Sequence, residues 1–437
     1  MTENTNKFVT LQRNIRIMKK LLIALCALGL FASCSKSDDE EDNRVDRTVV
    51  VYMSGECTLW DFVQDDLNEI IAGSKNIGNN ALVVFVDKGN VKELPWVARI
   101  QEGKVVDSVS VADLKIEGTD GYKGVAVGDY YDPYACDPKV MESILRYAYE
   151  KYPSKKADYG LVLWGHGSGW VINDNDIPYT AMARKKAWGI DNGRNDSSDT
   201  GYWLNIPTMA KMLSKLPHLK YIFCDCCNMM CLEDAYELRN VTDYLIGSPA
   251  EIPGVGAPYN TVVPALFENT TFYTSIIDRY RNQSSVPLSA VKTSEMETLA
   301  NATKNVLKHI KTVATSKGVE FKYPDMSGLI HYYYKFDKKQ MFYDANDFVL
   351  KYATTDEYNS WKKALDKAVI YKKIADSWDI GIGNNNWNYY YSDFEMTEEK
   401  FGGVSMFVPT YYQQYTDNVK IQQMGWYKAA GYDEIGW

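Results

Sequence analysis

Apolar residues along the chain gather into short β-branched runs, separated by stretches with helical spacing. Thr48 to Met53 (TVVVYM) and Ala81 to Val86 (ALVVFV) are two such runs. Between them Val63, Leu67, Ile70 and Ile71 share one face of a predicted helix. VARIQEG and KVVDSVSV predict a small antiparallel hairpin. Asp137-Pro138 reads as a capping residue followed by proline in the first turn, opening a helix with Met141, Ile144, Leu145 and Ala148 inward. Gly160 to Trp164 (GLVLW) predicts a third strand, Tyr221 to Cys224 (YIFC) a fourth and Tyr244 to Gly247 (YLIG) a shorter fifth, with a helix over residues 207–216 between the third and fourth. Strands apolar on both faces and alternating with helices imply an α/β fold, a mostly parallel sheet covered by helices on both faces. The C-terminal part is more helical, with helical spacing over 295–313, 344–352 and 356–372. The late apolar run GGVSMFVP from Gly402 predicts a return to the sheet.

The N-terminus follows a different pattern. From Met18 it reads MKKLLIALCALGLFASCSKS: a basic start, an apolar run from Leu21 to Phe31, and small residues before Cys34. The run falls short of the ~20 residues needed to cross a bilayer, so the segment reads as an export signal with residues 1–17 upstream of its start. FASC resembles a bacterial lipobox, which implies that Cys34 becomes the lipidated first residue of the mature chain. Acyl chains contribute about 0.8 kcal/mol per buried methylene, enough for a membrane anchor without a spanning helix. SKSDDEEDNRVDR then reads as an acidic solvated tether. The expected organisation is a signal segment over 1–33, a tether over 34–47 and one large domain over 48–437. Acidic runs behind a lipidated cysteine accompany surface display in some Gram-negative lipoproteins, so an outer-membrane or cell-surface location is expected by resemblance.

A net charge of -9 and no basic stripe argue against a nucleic-acid partner. The 33 Tyr and 11 Trp are compatible with glycan stacking, but an ordinary core accounts for them more readily. Of eight cysteines, four (Cys224, Cys226, Cys227 and Cys231) crowd one strand end, which suits neither a disulfide framework nor a zinc site. No metal is expected. Calcium is possible, but no EF-hand-type loop is present to indicate it.

Two strand ends carry candidate chemistry. LVLWGHGSGW sets His166 between glycines just after the third strand, and YIFCDCCNMM sets Asp225, Cys226 and Cys227 just after the fourth. Neighbouring parallel strands would bring a cysteine nucleophile and its histidine partner together at their carboxyl ends.

An HG after one apolar strand and D-x-C after the next resembles the signature of caspase-like cysteine peptidases. The segment CDCCNMMCLEDAYELRNVTDYLIGSPAEIPGVGAPY narrows the resemblance to the clostripain family. That resemblance implies a cysteine endopeptidase with Cys227 as nucleophile, His166 as general acid, and the amides of Gly167 and Cys227 as oxyanion donors. It places Asp225 in the pocket for a basic side chain, which implies cleavage of proteins or peptides after Arg or Lys. Cys226, Asn228 and Met230 depart from the family pattern, and Asn228 bears on the pocket wall. Related enzymes are activated by a cut between the histidine and cysteine segments, and Lys186, in a polar stretch, is the expected site here; a solvated loop that is never cut is the alternative. Cys226 as nucleophile, a metal enzyme built on the cysteine cluster, and an inactive lipoprotein that binds glycans or peptides are the competing readings. His218, His309 and His331 lack the flanking glycine turn and are expected to be structural.

Overall fold

The computed structural model describes residues 42–89, 94–114, 124–127, 130–172, 187–193, 201–282, 285–332, 342–375, 378–379, 388–389, 394–409 and 420–437. Its central feature is a sheet of nine strands: β1 (Thr48–Gly55), β2 (Ala81–Lys88), β3 (Trp96–Gln101), β4 (Lys104–Ser110), β5 (Tyr159–Trp164), β6 (Leu219–Asp225), β7 (Thr242–Gly247), β8 (Leu288–Lys292) and β9 (Val369–Lys373). They run in the order β9-β8-β7-β6-β5-β1-β2-β3-β4. The strands from β7 to β2 are parallel, and an antiparallel pair closes each edge. The parallel strands read as unbroken apolar runs because both faces are covered: every residue of β1 and β5 is buried.

Helices occupy both faces. One layer holds α1 (Val63–Gly73) with the helices Tyr259–Ala265 and Phe272–Arg281. The other holds Pro138–Lys151, Ile206–Leu213, Leu232–Glu237 and Met296–Ser316. Chain direction explains the split, because right-handed crossovers to opposite sides of β1 lay their helices on opposite faces. Asp137 caps Pro138–Lys151 as its sequence predicts, its side chain accepting from the Lys139 amide.

The expected antiparallel hairpin β3–β4 forms, and β3 also pairs antiparallel with β2, so the hairpin extends the main sheet. Two sequence readings change. The helix expected over 356–372 ends at Ala368, and its last residues form edge strand β9. GGVSMFVP does not rejoin the main sheet: Ser405–Phe407 pairs with Phe342–Asp344 in a two-stranded sheet, and Ser405 bridges Cys231. Apolar character records burial, and strand partners are set by tertiary contacts the pattern does not carry.

The expected tether also stops early. Val45 and Arg47 are buried, and Val45–Trp437 form one compact unit. Arg47 donates to both carboxylate oxygens of Asp158 at 2.8 and 2.9 Å, and to the carbonyls of Leu266 and Glu268 at 2.8 and 2.9 Å. Its guanidinium also faces the rings of Tyr221 and Phe272. One side chain thus ties the start of β1 to the approach to β5 and to one helix layer. Arg47→Ala strands these acceptors and is expected to cost about 3 kcal/mol of stability in urea denaturation, with Arg47→Lys recovering part of it.

Candidate active site

β5 and β6 pair in parallel, with Trp164 opposite Asp225. Two residues beyond that pair the chain reaches His166 on one side and Cys227 on the other, both half-buried at the carboxyl edge of the sheet. The histidine turn needs its glycines. Gly165 has φ +144°, and a Cβ at Gly167 would lie 2.6 Å from the Cys227 carbonyl oxygen and 3.1 Å from the Cys226 side chain. Backbone approach this close is open only to glycine, and it presses the histidine segment against the cysteine segment.

Each segment is held by a neighbour. The His166 carbonyl accepts from the Gly189 amide and the Ser168 amide donates to Ala187, both at 2.9 Å, which ties the turn to the strand Trp188–Asp191. His166 Nε2 lies 2.7 Å from Thr58 Oγ1, in the connection leaving β1, and the Trp203 ring centroid is 6.4 Å from the imidazole. On the cysteine side, the amides of Asn228 and Met230 donate to Ala250 and Ser248 at 2.9 and 3.1 Å. The Cys227 sulfur accepts from the Ile252 amide at 3.4 Å.

Adjacent cysteines meet opposite environments. Cys226 points into the core, where burial, followed by its neighbour Cys224, pushes the thiol well above its usual range. A buried thiol of that kind is a poor source of thiolate. Cys224, Cys226, Cys227 and Cys231 are all free thiols. Asn228 adopts the left-handed conformation, φ +61°, which asparagine tolerates better than leucine. It is buried, and its amide, assigned with the nitrogen toward the carbonyls of Pro249 and Tyr332 because only that orientation satisfies both, donates to them at 3.2 and 3.1 Å. The departure read as a change in the pocket wall therefore shapes the turn after Cys227.

Asp225 is 3% exposed. One oxygen accepts from the Ala257 amide at 3.0 Å and the Tyr259 hydroxyl at 2.8 Å, while the other accepts from Tyr280 at 3.2 Å. Burial raises its pKa despite these three donors. Asp66 in α1 is a second buried acid, raised in part by Asp225, and it accepts from Trp164 Nε1 at 2.6 Å. Sequence reading missed Asp66, Thr58 and Ile252; the available signal was position, since the loop after β1 leaves the same sheet edge as His166 and Cys227. Among the other histidines, His218 and His309 pair with Asp243 and Glu357, and His331 is buried beside Phe394. Cys34 and Lys186 lie outside the described residues.

A sheet with a parallel centre, helices on both faces, and a histidine and a cysteine at adjoining strand ends is the architecture of a caspase-like cysteine peptidase. A model of the clostripain family matches residues 51–437, and the chain belongs to that family. The chain is similar to the solved structure of a secreted C11 cysteine protease from Bacteroides thetaiotaomicron in complex with an irreversible peptide inhibitor: 29% identity, TM-score 0.67, 89% of this chain and 99% of that chain. It also shares its fold with an inactive zymogen C11 protease from Parabacteroides distasonis, at 24% identity and TM-score 0.65 over 88% of this chain and 98% of that chain. A further secreted C11 cysteine protease from Bacteroides thetaiotaomicron matches at 20% identity and TM-score 0.58 over 89% and 99%. No curated protein matches the chain.

Burial raises the Asp66 carboxyl to about 8. Because the folded value lies above the unfolded one near 3.8, the native state holds a proton that the unfolded state has lost, and stability falls as pH climbs between them. Asp66→Asn removes that titration while keeping an acceptor for Trp164. Denaturation of the variant should match wild type near pH 4 and exceed it by a few kcal/mol at pH 8; a pH-independent difference would contradict the assignment.

Proposed function

We propose that the protein is an exported, lipid-anchored cysteine endopeptidase that cleaves after Arg or Lys, with Cys227 as nucleophile and His166 as its partner. The observation that carries this reading is the parallel register of β5 and β6, which delivers the two residues to one sheet edge. The Cys227 thiolate attacks the scissile carbonyl carbon, and the oxygen gathers negative charge beside the amides of Gly167 and Cys227. His166 as imidazolium gives its proton to the departing amine as the carbon–nitrogen bond breaks, leaving an acyl-enzyme. Water, deprotonated by the now neutral imidazole, attacks the thioester; the acid product leaves and the thiolate returns.

Asp225 supplies the preference for a basic side chain. Three donors fix its carboxylate. Thr58 Oγ1 orients the imidazole. A peptide probe carrying lysine or arginine next to a thiol-reactive group should modify Cys227 in wild type and in Cys226→Ala, and leave Cys227→Ala unlabelled. Asp225→Asn should cut labelling by the basic probe about 100-fold relative to one bearing a neutral isostere, as expected for loss of one partner of a buried charge pair. Label on Cys226, or an unchanged preference, would sink the respective assignment.

Cys34 as lipid attachment point supports an outer-membrane or cell-surface location, in line with similar proteins described as secreted. No helix among the described residues is long and apolar enough to cross a membrane. Activation proceeds by a cut after Lys186 between the histidine and cysteine segments. Intact-mass measurement on membrane-extracted protein tests both points. It should show acyl chains on a chain beginning at Cys34, and two fragments meeting at Lys186 that revert to one chain in Cys227→Ala.

A further inference from the structure

A small sheet far along the chain touches both the histidine segment and the cysteine segment. Its strands are Phe342–Asp344 and Ser405–Phe407, the second drawn from the apolar run GGVSMFVP. On the cysteine side, the Ser405 amide donates to the Met230 carbonyl at 2.9 Å, and the Phe407 amide donates to Glu233 Oε1 at 2.8 Å. The Asn228 side chain donates to the Tyr332 carbonyl at 3.1 Å, and the Tyr332 amide donates in turn to the Phe342 carbonyl at 2.9 Å. On the histidine side stands Trp170, four residues past His166 and 1% exposed. Its indole meets the Phe407 ring edge-on with centroids 5.1 Å apart, and the Phe342 ring at 5.7 Å. Gly169 lies where the three segments converge: a Cβ there would be 2.6 Å from the Asn228 carbonyl oxygen, 2.9 Å from the Phe342 ring and 3.3 Å from the Cys231 sulfur.

The small sheet is itself tied down by one fully buried carboxylate, Asp344. One of its oxygens accepts from the Tyr332 hydroxyl at 2.6 Å and the Gly402 amide at 2.8 Å. The other accepts from the Asn346 and Asp347 amides at 2.8 and 3.1 Å, which caps the helix Ala345–Tyr352. Four donors on one side chain thus join the strand Phe342–Asp344 to the turn before Ser405–Phe407 and to a helix. Trp170 Nε1, by contrast, has no hydrogen-bond partner among the described residues. A buried N–H left unpaired loses stability, so packing against the two rings is what holds the indole.

We propose that Trp170 is a positioning residue for His166, and that the sheet of Phe342–Asp344 and Ser405–Phe407 is a clasp that holds it against the segment carrying Cys227. The histidine turn leaves β5 at Trp164, and Gly189 and Ala187 hold its middle. Trp170 anchors the far end, so the turn is fixed at both ends and the imidazole has little room to swing. Interior packing is dense and yields little to displacement. That stiffness matters because a shift of about 1 Å at a reacting group costs about 100-fold in rate. One element grips both segments, so their separation is set by a single rigid part. The positioning role rests on the peptidase reading above, whereas the clasp itself does not.

Two readouts on the full chain test this. In a Cys227→Ala background, adding Trp170→Ala or Phe407→Leu should speed amide hydrogen exchange over residues 165–171 about tenfold while β5 keeps its protection; unchanged exchange overturns the clasp. In active enzyme turning over a basic fluorogenic peptide, Trp170→Ala should lower kcat about tenfold and change KM by less than about twofold, and Trp170→Phe should restore most of kcat. Trp170→Ala combined with Phe407→Leu should be no slower than Trp170→Ala alone, since both remove one contact. Wild-type kcat in Trp170→Ala, or additive losses in the double variant, overturns the positioning role. Trp361→Phe is the control, because Trp361 is equally buried but sits in the helix Thr355–Ala368, where it donates to Thr303. It should lower the melting temperature and leave kcat unchanged; a matching fall in kcat would reduce the effect of Trp170 to general destabilisation and sink the proposal. Should Trp170→Ala not fold, Phe407→Leu decides by the same two readouts. Exchange does not involve turnover, so a chain that shows the exchange effect yet cleaves nothing counts against the peptidase reading and in favour of the clasp.

Discussion

The backbone ladder between β5 and β6 is the constraint on which the site depends. Parallel strands share direction, so both chains leave the sheet at the same edge, and the register that sets Trp164 against Asp225 fixes how far each has travelled on arrival. A shift by one residue would turn the side chains of the cysteine strand to the opposite face, exchanging the environments of Cys226 and Cys227. Burial of both faces of β5 and β6 is what pins that register. The glycine beside His166 completes the arrangement, since any side chain there would collide with the Cys227 carbonyl.

The same sheet edge gathers an unusual amount of buried acid. Asp66 and Asp225 lie near the end of β6, and Glu56, Asp87, Asp132 and Asp191 near the ends of β1 and β2. Desolvation raises the pKa of each of these groups. The two groups are handled differently. Asp225 is surrounded by fixed donors, which hold a carboxylate where a basic substrate group can be received. The acids around Asp87 meet few donors, and burial raises Glu56, Asp87 and Asp132 toward their neutral forms. Stability is spent at both places, as expected where a fold keeps groups for recognition or catalysis.

Much of the architecture was legible because it is local. β-branched runs marked all five parallel strands, an Asp-Pro pair marked a helix start, and glycines flanking His166 marked a turn needing close backbone approach. The resemblance of the CDCCNMM segment located the candidate nucleophile. Less was readable about edges: β9 looked helical because its apolar residues continue the spacing of the helix before it, and Ser405–Phe407 looked like a sheet strand although its partner is Phe342–Asp344. The burial of Arg47 was hidden for a similar reason, since a charge beside an acidic run reads as solvated until Asp158 and two carbonyls surround it.

The sequence by itself determined which segments become strands and helices, and which residue types stand at strand ends, because both follow from local pattern and backbone preference. Only the tertiary structure decided which of two adjacent cysteines faces outward, which hydroxyl meets His166, and that Glu56, Asp87 and Asp132 share one buried space. Those outcomes depend on packing between segments far apart in the chain, where a side chain's surroundings are set by neighbours that its own stretch of sequence does not specify.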